Sequence, residues 1–345
     1  MYHTTGTCFV QGQACVKGTE ADQFKPEEAA QQLRAAMKGL GTDEWRIIRV
    51  LTDHTNQQRQ VIKDTYKTSF GRDLIDDLKD DLGGNFLRLC VYLMLPEREF
   101  DARCLHYAIH NHQCDTLIDI LATRTNSRIH GIRQIYEAVT VPGYTAPLVD
   151  LYQRDLDRDL DEYLLDVVGD FRRVLTGLAQ GGRSEERTVD QAEVDKDVEE
   201  LFKAGVGRLG TDEDVFTRIL VTRSVPHLRD VFDAYHEKHQ QQIEAAIEQE
   251  MSGNAKAAFL AIVRCVRDPL THFATCFHET FKGPGTDDER LMQLIVSHSE
   301  VDLQDIADKY EGLFSRKLKQ DIRGETSGDY RKLLMKIMDQ AEEEE

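Results

Sequence analysis

Three short stretches of the sequence hold residues whose types and spacing suit a hard metal ion. Each contains Gly-Thr-Asp followed by an acid, with a further glycine shortly before it, and the three runs start at Gly41, Gly210 and Gly285. Forty residues after these glycines stand three further acids, Asp81, Glu250 and Glu325. Glycine lets the backbone take φ > 0 and turn several carbonyl oxygens to one side. Because Ca²⁺ takes about six to eight oxygen ligands from carbonyls, carboxylates and water, each stretch predicts a calcium site of modest affinity, with positions left for water or phosphate.

The same stretches have a purely structural interpretation. A glycine-rich run can simply join two helices, with the Thr as N-cap and the acids favoured by the helix dipole. A turn needs no acid forty residues away, which favours the metal site, although any faithful repeat preserves all of its spacings. The residues alone leave both interpretations open.

The sequence around these stretches is repetitive. Counted from the three glycines, apolar residues recur at +6, +9, +10, +21, +33 and +37, and Tyr recurs at +25. Steps of three and four are helical spacing, and the alternation typical of strands is missing. The pattern predicts an all-α fold of four repeats of about 70 residues, each with about five short helices. The recurring tyrosines are expected in the core; they are Tyr66, Tyr136, Tyr235 and Tyr310.

The second repeat is degraded. Its apolar residues keep phase if Asn111 takes the place of the glycine, and the loop 109–112 holds no glycine at all. From Tyr136 to its acid, Asp166, there are 30 positions, against 15 in the other repeats, so about 15 residues are inserted near 139–153. We expect Asp166 to cap or pack rather than to bind metal.

The repeats divide the chain into consecutive segments. A polar, charged stretch predicts a linker between two pairs of repeats, and the two ends of the chain predict tails. The predicted segments are an N-terminal tail 1–17, repeat 1 at 18–95, repeat 2 at 96–180, a linker 181–194, repeat 3 at 195–268, repeat 4 at 269–341 and an acidic tail 342–345.

Composition narrows the class of protein. The chain has 345 residues, with 43 Lys and Arg against 62 Asp and Glu, a formal charge of −19, which disfavours direct binding to nucleic acid or to an anionic bilayer. An acidic partner would need a cation between the two surfaces. Seven scattered cysteines without a Cys-x-x-Cys pair fit reduced thiols. Neither a membrane span nor a secretory signal is visible, so we expect a cytoplasmic protein.

The combination of Gly-x-Gly-Thr, an acid about 40 residues on and four helical repeats resembles the annexins, over about residues 18 to 341. The stretches "AMKGLGTDE" and "FGRDLIDDLKDDL" are similar to a first annexin repeat. The resemblance implies a slightly curved disc of four five-helix domains, with calcium loops on the convex face. It implies reversible, calcium-dependent binding to acidic phospholipid, without catalysis, by a protein that becomes peripheral on membranes when Ca²⁺ rises.

Carried over by position, the resemblance assigns the metal ligands. In the first repeat they are the carbonyls of Met37, Gly39 and Gly41 with the Asp81 carboxylate. The third repeat offers Gly205, Arg208 and Gly210 with Glu250, and the fourth offers Phe281, Gly283 and Gly285 with Glu325. Secondary sites are Thr42 with Glu44 and Thr211 with Glu213.

The sequence also departs from the family pattern. Asp81 is shorter than the Glu usual at its position, which predicts a weaker first site. Pro284 fixes one φ near −65° between two loop glycines. For the family's hydrophilic central channel, Asp101, Asp119 and Arg124 fit but Cys104 stands where an acid is common, which argues against ion conduction.

Loop tips predict a direct contact with lipid. Leu40 and Leu209 are apolar at the apex of their turns, while Lys38, Arg208 and Lys282 are basic beside it. Leu can enter the interface shallowly and Lys or Arg can meet phosphate. Scattered surface residues are the alternative.

Two other motifs resemble metal sites. Asp residues at 155, 157, 159 and 161 mimic an EF-hand loop, but Leu160 stands where the turn needs Gly, so a charged helix face is expected. His106 and His110, with His112 and Cys114, could hold zinc from one helix face. The single Trp, Trp45, follows the first loop and is expected to pack at the start of its helix.

The sequence therefore favours a calcium-dependent phospholipid-binding module over an enzyme, since no catalytic motif appears. One alternative is a cytosolic scaffold that recruits a protein partner through its N-terminal tail, and another is a membrane-associated ion channel. Self-association on membranes is compatible with the resemblance.

Overall fold

The computed structural model describes residues 12–39, 41–139, 160–165, 167, 169–206, 211–283 and 285–339. This part of the chain contains twenty helices and no β-strand, which confirms the all-α prediction. Several predictions lie outside the described residues: those for Leu40, Asp166, Arg208, Leu209, Gly210 and Pro284, the insert up to residue 153, most of the EF-hand-like run and the last six residues.

Each repeat contributes five helices. Repeat 1 contains α1 (Pro26–Ala36), α2 (Glu44–Thr52), α3 (Asn56–Phe70), α4 (Leu74–Asp81) and α5 (Gly84–Met94). Repeat 2 contains α6 (Glu97–His110), α7 (Cys114–Thr123), α8 (Asn126–Val139), α9 (Leu160–Leu164) and α10 (Gly169–Ala179). Repeat 3 contains α11 (Gln191–Ala204), α12 (Glu213–Thr222), α13 (Val225–His239), α14 (Ile243–Glu250) and α15 (Gly253–Arg267). Repeat 4 contains α16 (Pro269–Thr280), α17 (Asp288–His298), α18 (Leu303–Phe314), α19 (Leu318–Glu325) and α20 (Gly328–Asp339).

Local sequence signals explain where these helices begin and end. Thr55 and Gln58 form a reciprocal capping box at the start of α3, and Gly71 ends that helix with φ +67°. Ser224 caps α13 by accepting from the His227 amide, and Asp73 caps α4. The helices are therefore short because capping residues stop and restart them.

The chain forms two compact units. Among the described residues, unit 1 covers those within 101–272, and unit 2 covers those within 12–100 and 273–339. Unit 1 thus holds most of repeats 2 and 3, and unit 2 most of repeats 1 and 4. The polar stretch 181–190 lies inside unit 1, where Ser184 donates to the Thr222 carbonyl and Asn126 donates to the Arg183 carbonyl.

Packing within each unit follows the same scheme. In unit 2, α1 packs on α2 and α3, and repeats 1 and 4 join through α2 with α20 and α5 with α17. In unit 1, α11 packs on α12 and α13, and repeats 2 and 3 join through α7 with α15 and α10 with α12. Helices at the same position in their repeats therefore pack together in the same way in both units.

The four recurring tyrosines lie in the core, as predicted, each with 0% exposure. Tyr310 donates to Asp321 at 2.6 Å, Tyr66 donates to Asp77, and Tyr136 donates to the Ala102 carbonyl. The Tyr235 hydroxyl has no hydrogen-bond partner in the described part of the chain. The repeated side chain fills the same place four times, but its polar end is satisfied differently.

The segment 12–19 lies along unit 2. Its backbone pairs with the turn before α18, from Val16 to Ser299 and from Gly12 to Val301, and Thr19 then bonds to Asp53 and Gln58 of repeat 1. A Cβ on Gly12 would lie 2.1 Å from an Asp305 carboxylate oxygen, so a larger residue there would require the Asp305 side chain to shift. This segment therefore ties repeat 4 to repeat 1.

Cysteine chemistry and hydropathy complete the description. The six described cysteines are free. Cys15, under the N-terminal segment, is fully buried, and burial together with nearby Asp308 raises its pKa to about 12, so the thiol stays protonated at neutral pH. Helices of bilayer-spanning length and hydropathy are absent from the described residues.

Candidate metal-binding loops

The first glycine loop joins α1 to α2. It is closed by the Asp43 amide, which donates to the Ala36 carbonyl at 2.9 Å. Gly39 has φ +118° and Gly41 has φ +87°, conformations that side chains with a Cβ rarely adopt. A Cβ at either position would meet no atom within 4 Å. Glycine is thus required by the backbone conformation and not by crowding.

The fourth repeat builds the same loop between α16 and α17. Here the Asp287 amide donates to the Thr280 carbonyl at 2.9 Å, and Gly283 and Gly285 have φ +102° and +97°. Open space again surrounds both glycines. Two loops of different sequence therefore share one unusual backbone conformation.

The carbonyls assigned as ligands are unoccupied by hydrogen bonds. Among the described residues, no donor reaches the oxygens of Met37, Gly39, Gly41, Gly205, Phe281, Gly283 or Gly285. The carbonyls of Ala36 and Thr280, one residue earlier, are in contrast occupied by the closing bonds. Free carbonyl oxygens suit a hard cation, so the donor sets of the first and fourth loops fit Ca²⁺.

The distant acids lie beside their loops. The Thr211 hydroxyl donates to the Glu250 carbonyl at 2.8 Å, and the Thr286 hydroxyl lies 3.5 Å from both the carbonyl and a carboxylate oxygen of Glu325. In the first repeat, Asp81 and Glu44 line one cavity. All three predicted acids are thus brought to the loop side of their repeat.

These acids are also available to a cation. Asp81 and Glu325 are exposed and Glu250 is half-buried. Within the described ranges, none of the three forms an ion pair with Lys or Arg. By comparison, Asp77 and Asp321, which lie four residues before two of them, are buried and paired with Arg72 and Arg316 respectively. The chain separates structural acids from acids that face solvent beside a loop.

The expected N-cap is wrong by one residue. Asp43 and Asp287, and not the preceding Thr, cap the following helices, with their side chains accepting from the Arg46 and Arg290 amides at 3.0 Å. Asp212 is the N-cap of α12. The shift leaves the Thr hydroxyl free to bond across to the downstream acid, as Thr211 and Thr286 do.

The third loop is described only at its ends. The Asp212 amide donates to the Ala204 carbonyl at 2.8 Å, and Gly205 ends α11 with φ −105°. The segment that it closes is one residue longer than its equivalents in repeats 1 and 4. Glu213 starts α12 and is half-buried, so its proposed role as a secondary ligand with Thr211 stays a prediction.

The second repeat has no comparable loop. The Gln113 amide closes it onto the Ala108 carbonyl at 2.8 Å, and the carbonyls of Ile109 and His112 are both occupied by hydrogen bonds. His112 takes the left-handed conformation at φ +55° in place of glycine. The shorter span and the two occupied carbonyls support the prediction that this loop lacks the metal-binding arrangement.

The zinc candidate does not assemble. The rings of His106 and His110 lie with centroids 4.2 Å apart, tilted by 44°, and His110 bonds back to the His106 carbonyl. Among the described residues, no three of His106, His110, His112 and Cys114 bring ligand atoms within 4.8 Å of one another. Of the EF-hand-like run only the end is described: Leu160 is buried at the start of α9, and Asp161 pairs with Arg133 at 2.6 Å.

The buried charges of repeat 2 form a structural cluster. Asp101, with 0% exposure, accepts two bonds from Arg124 at 3.0 Å and one from Arg128 at 2.7 Å. Burial alone would raise the pKa of Asp101, but the two guanidinium groups outweigh it and hold the pKa below its usual range. Asp119 pairs with His272 at 2.7 Å, and Cys104 is buried.

Two further features near the loops were not predicted from the sequence. A glycine three residues after each acid has φ +58° to +68° in all four repeats; these are Gly84, Gly169, Gly253 and Gly328. The acid-x-x-Gly spacing could have revealed Gly169, which keeps its turn although the loop of repeat 2 is lost. Ser327 and Asp329 of repeat 4 join Glu44 and Asp81 around a cavity of about 410 Å³, a contact between repeats that spacing does not encode.

Comparisons with known proteins agree with the repeat pattern. The annexin family model matches residues 28–93, 196–262 and 272–337, and leaves repeat 2 unmatched. Annexin A5 of Gallus gallus is 43% identical over 317 residues, which cover 90% of this chain and 94% of the relative. The solved structure of annexin III superposes with a TM-score of 0.85 at 37% identity, covering 95% of this chain and 98% of that one. A calcium-bound annexin (Sm)1 superposes with a TM-score of 0.83 at 27% identity, covering 96% and 94%. The chain is therefore a member of the annexin family.

Proposed function

We propose that this annexin binds Ca²⁺ at three loops and, through the bound ions, binds acidic phospholipid membranes reversibly. Annexins are known as calcium-dependent phospholipid-binding proteins, and a calcium-bound relative shares this fold. One observation carries the proposal: the predicted ligand carbonyls of repeats 1 and 4 have no hydrogen-bond donor among the described residues, and an unpaired acid lies beside each loop. Repeat 2, in whose loop 109–112 the carbonyls of Ile109 and His112 accept hydrogen bonds, supplies an internal contrast.

Electrostatics requires the metal. With a formal charge of −19, the protein is repelled by an anionic bilayer unless a cation lies between the two surfaces. Each loop offers about three carbonyls and one carboxylate, fewer oxygens than Ca²⁺ takes, so lipid phosphate and water complete the shell. We infer modest affinity and reversal by chelation. The protein would then be cytoplasmic at rest and peripheral on membranes when Ca²⁺ rises.

Basic side chains beside the loops support lipid contact. Lys38 and Lys282 are exposed, and Lys282 is held by Glu279 at 2.5 Å. With the apolar tips Leu40 and Leu209, they are proposed to meet the headgroup region. We propose no enzymatic activity.

A sedimentation assay tests the function. The protein is mixed with phosphatidylserine vesicles in Ca²⁺ or in chelator, and only the calcium sample should pellet. A triple change of Asp81, Glu250 and Glu325 to Ala should remove most of the binding. The matched control changes three exposed acids on α3, α13 and α18 to Ala, namely Asp64, Asp230 and Glu311. Equal pelleting with and without calcium, or equal loss in both triple variants, would refute the assignment.

The scaffold alternative is tested in the same preparation. Residues 12–19 are bonded to unit 2, so a partner that reads this segment would have to detach it. Deleting residues 1–17 should leave calcium-dependent pelleting intact if the loops carry the function. Loss of pelleting in the deletion alone would favour a role for the tail.

A further inference from the structure

Large apolar side chains are exposed at only five described positions, and three of them lie at the loop side of a repeat. Trp45 is 51% exposed directly after the first loop, and Val206 is 38% exposed inside the third. Leu165, in repeat 2, is the most exposed at 62%. The other two, Val61 and Leu313, lie on α3 and α18. Single exposed apolar residues are ordinary, so exposure alone decides nothing.

The repeats provide an internal comparison for Trp45. It is the second residue of α2, four positions after Gly41. The equivalent residues in the other three repeats are all acidic: Asp115, Asp214 and Glu289. The helix dipole favours an acid in the first turn, and Trp45 lacks this favourable interaction. The first repeat thus replaces a favourable charge by a half-exposed aromatic ring.

Leu165 shows the same kind of departure. It lies four residues before the positive-φ glycine of its repeat, Gly169. At this position the other repeats carry Asp80, Gln249 and Gly324, all exposed. Only the repeat without a glycine loop places a large apolar side chain there.

Contacts within unit 1 place the helix that follows Leu165, α10, beside the start of α12. Gly169 begins α10, and Arg173 of that helix donates to Asp214 of α12 at 2.7 Å. Asp214 lies three residues after Thr211, whose hydroxyl bonds to Glu250. The first half of α10 therefore lies beside the start of α12, which follows the third loop. In unit 2, the corresponding bond from Asn85 to Asp288 at 2.7 Å joins the starts of α5 and α17.

We infer that Trp45 and Leu165 enter the interfacial region of the bilayer, so that repeat 2 contacts lipid by apolar burial where repeats 1, 3 and 4 use calcium. The inference rests on the proposed function, because calcium bridging would bring the loops of each unit to the membrane. Trp suits the interface since its ring is apolar while its N–H can bond to water or headgroups. Repeat 2 thereby contributes to binding without a metal.

The single Trp makes a direct test possible. Wild-type protein is bound in Ca²⁺ to phosphatidylserine vesicles with or without brominated acyl chains. Trp45 emission should shift to the blue and be quenched by the brominated lipid. Pelleting without quenching would overturn the placement of Trp45 and leave the proposed function standing. Absence of calcium-dependent pelleting would overturn both.

Leu165 is tested by moving the probe. On a Trp45→Phe background, Leu165→Trp is compared with Leu313→Trp, a matched control on an exposed residue of α18 that is 45% accessible. Quenching is expected at 165 and not at 313, and equal behaviour at both positions would overturn the inference. Trp45→Glu and Leu165→Gln restore residue types used by other repeats. Each should weaken lipid binding at saturating Ca²⁺ by roughly fivefold, and unchanged affinity in both would contradict the proposal.

Discussion

Replacing Gly39 by Ala should weaken calcium binding at the first loop without unfolding the protein. Its φ of +118° is unfavourable for any residue with a Cβ, yet a Cβ there meets nothing within 4 Å. Holding an L-residue in such a conformation costs about 1–2 kcal/mol. Because open space surrounds the loop, the variant can relax to negative φ in the metal-free state, and the strain reappears when calcium requires the carbonyls to converge. The dissociation constant of this loop should therefore rise by about five- to thirtyfold.

Calorimetric calcium titration measures the change, with thermal unfolding in chelator as the stability readout. Gly71→Ala is the matched control, since Gly71 also has positive φ, +67°, and open space, but ends α3 away from any loop. The control should lower the melting temperature and leave the calcium titration unchanged. Gly283→Ala should reproduce the Gly39 result at the fourth loop. An unaltered titration in both loop variants would refute the argument that positive φ serves the metal.

Three further predictions concern stability. Tyr310→Phe removes a buried hydrogen bond to Asp321 and should lower the free energy of unfolding in urea by about 1.5–3 kcal/mol. Tyr235→Phe removes a hydroxyl without a described partner and should be nearly neutral, so equal losses would contradict the prediction. Burial alone would raise the pKa of Asp77, but hydrogen bonds from Arg72 and Tyr66 hold this pKa below its usual range. The ionised carboxylate therefore stabilises the fold above about pH 4, and this contribution is lost as the pH falls further. In unfolding titrations between about pH 5 and 3 the wild type should lose more stability than Asp77→Asn, and parallel curves would exclude the effect. Arg59 is 1% exposed and donates to the carbonyls of Leu93 and Leu51 and to Glu300. Arg59→Met should therefore lower the free energy of unfolding by about 3–5 kcal/mol. A decrease of less than about 1 kcal/mol would show that the protein does not need these bonds.

Periodicity predicted the helices, the buried tyrosines and the partnership of each loop with a distant acid, because these features recur at fixed spacing. Asp81, Glu250 and Glu325 lie beside their loops for that reason. The cap was misjudged because Thr and Asp both favour the N-cap position, and only the backbone shows that Asp43 occupies it. Trp45 was expected to pack, and the structure leaves it half exposed. Its neighbours in sequence could not reveal this, since the side chain's surroundings come from elsewhere in the fold.

Contacts between repeats could not be predicted from the sequence for a related reason. Asp329 meets the cavity of Asp81 and Glu44 although more than two hundred residues separate them. A repeat pattern shows which residues within one repeat face its core, but it does not show which repeats pack against each other. The polar, charged stretch 181–194 predicted a linker between two pairs of repeats. The compact units combine most of repeats 2 and 3, and most of repeats 1 and 4, and this stretch lies inside unit 1.

That grouping has a consequence for synthesis of the chain. Repeat 1 leaves the ribosome first, but α17 and α20, which cover its α5 and α2, are made last. At about 5–20 residues per second, roughly ten to sixty seconds pass before the partners of α2 and α5 are synthesised, and unit 1 can fold during this time. The apolar surface of a newborn first repeat is thus exposed to chaperones or to other nascent chains during that interval. Translation speed after residue 100 would then influence how much of the protein reaches its native state.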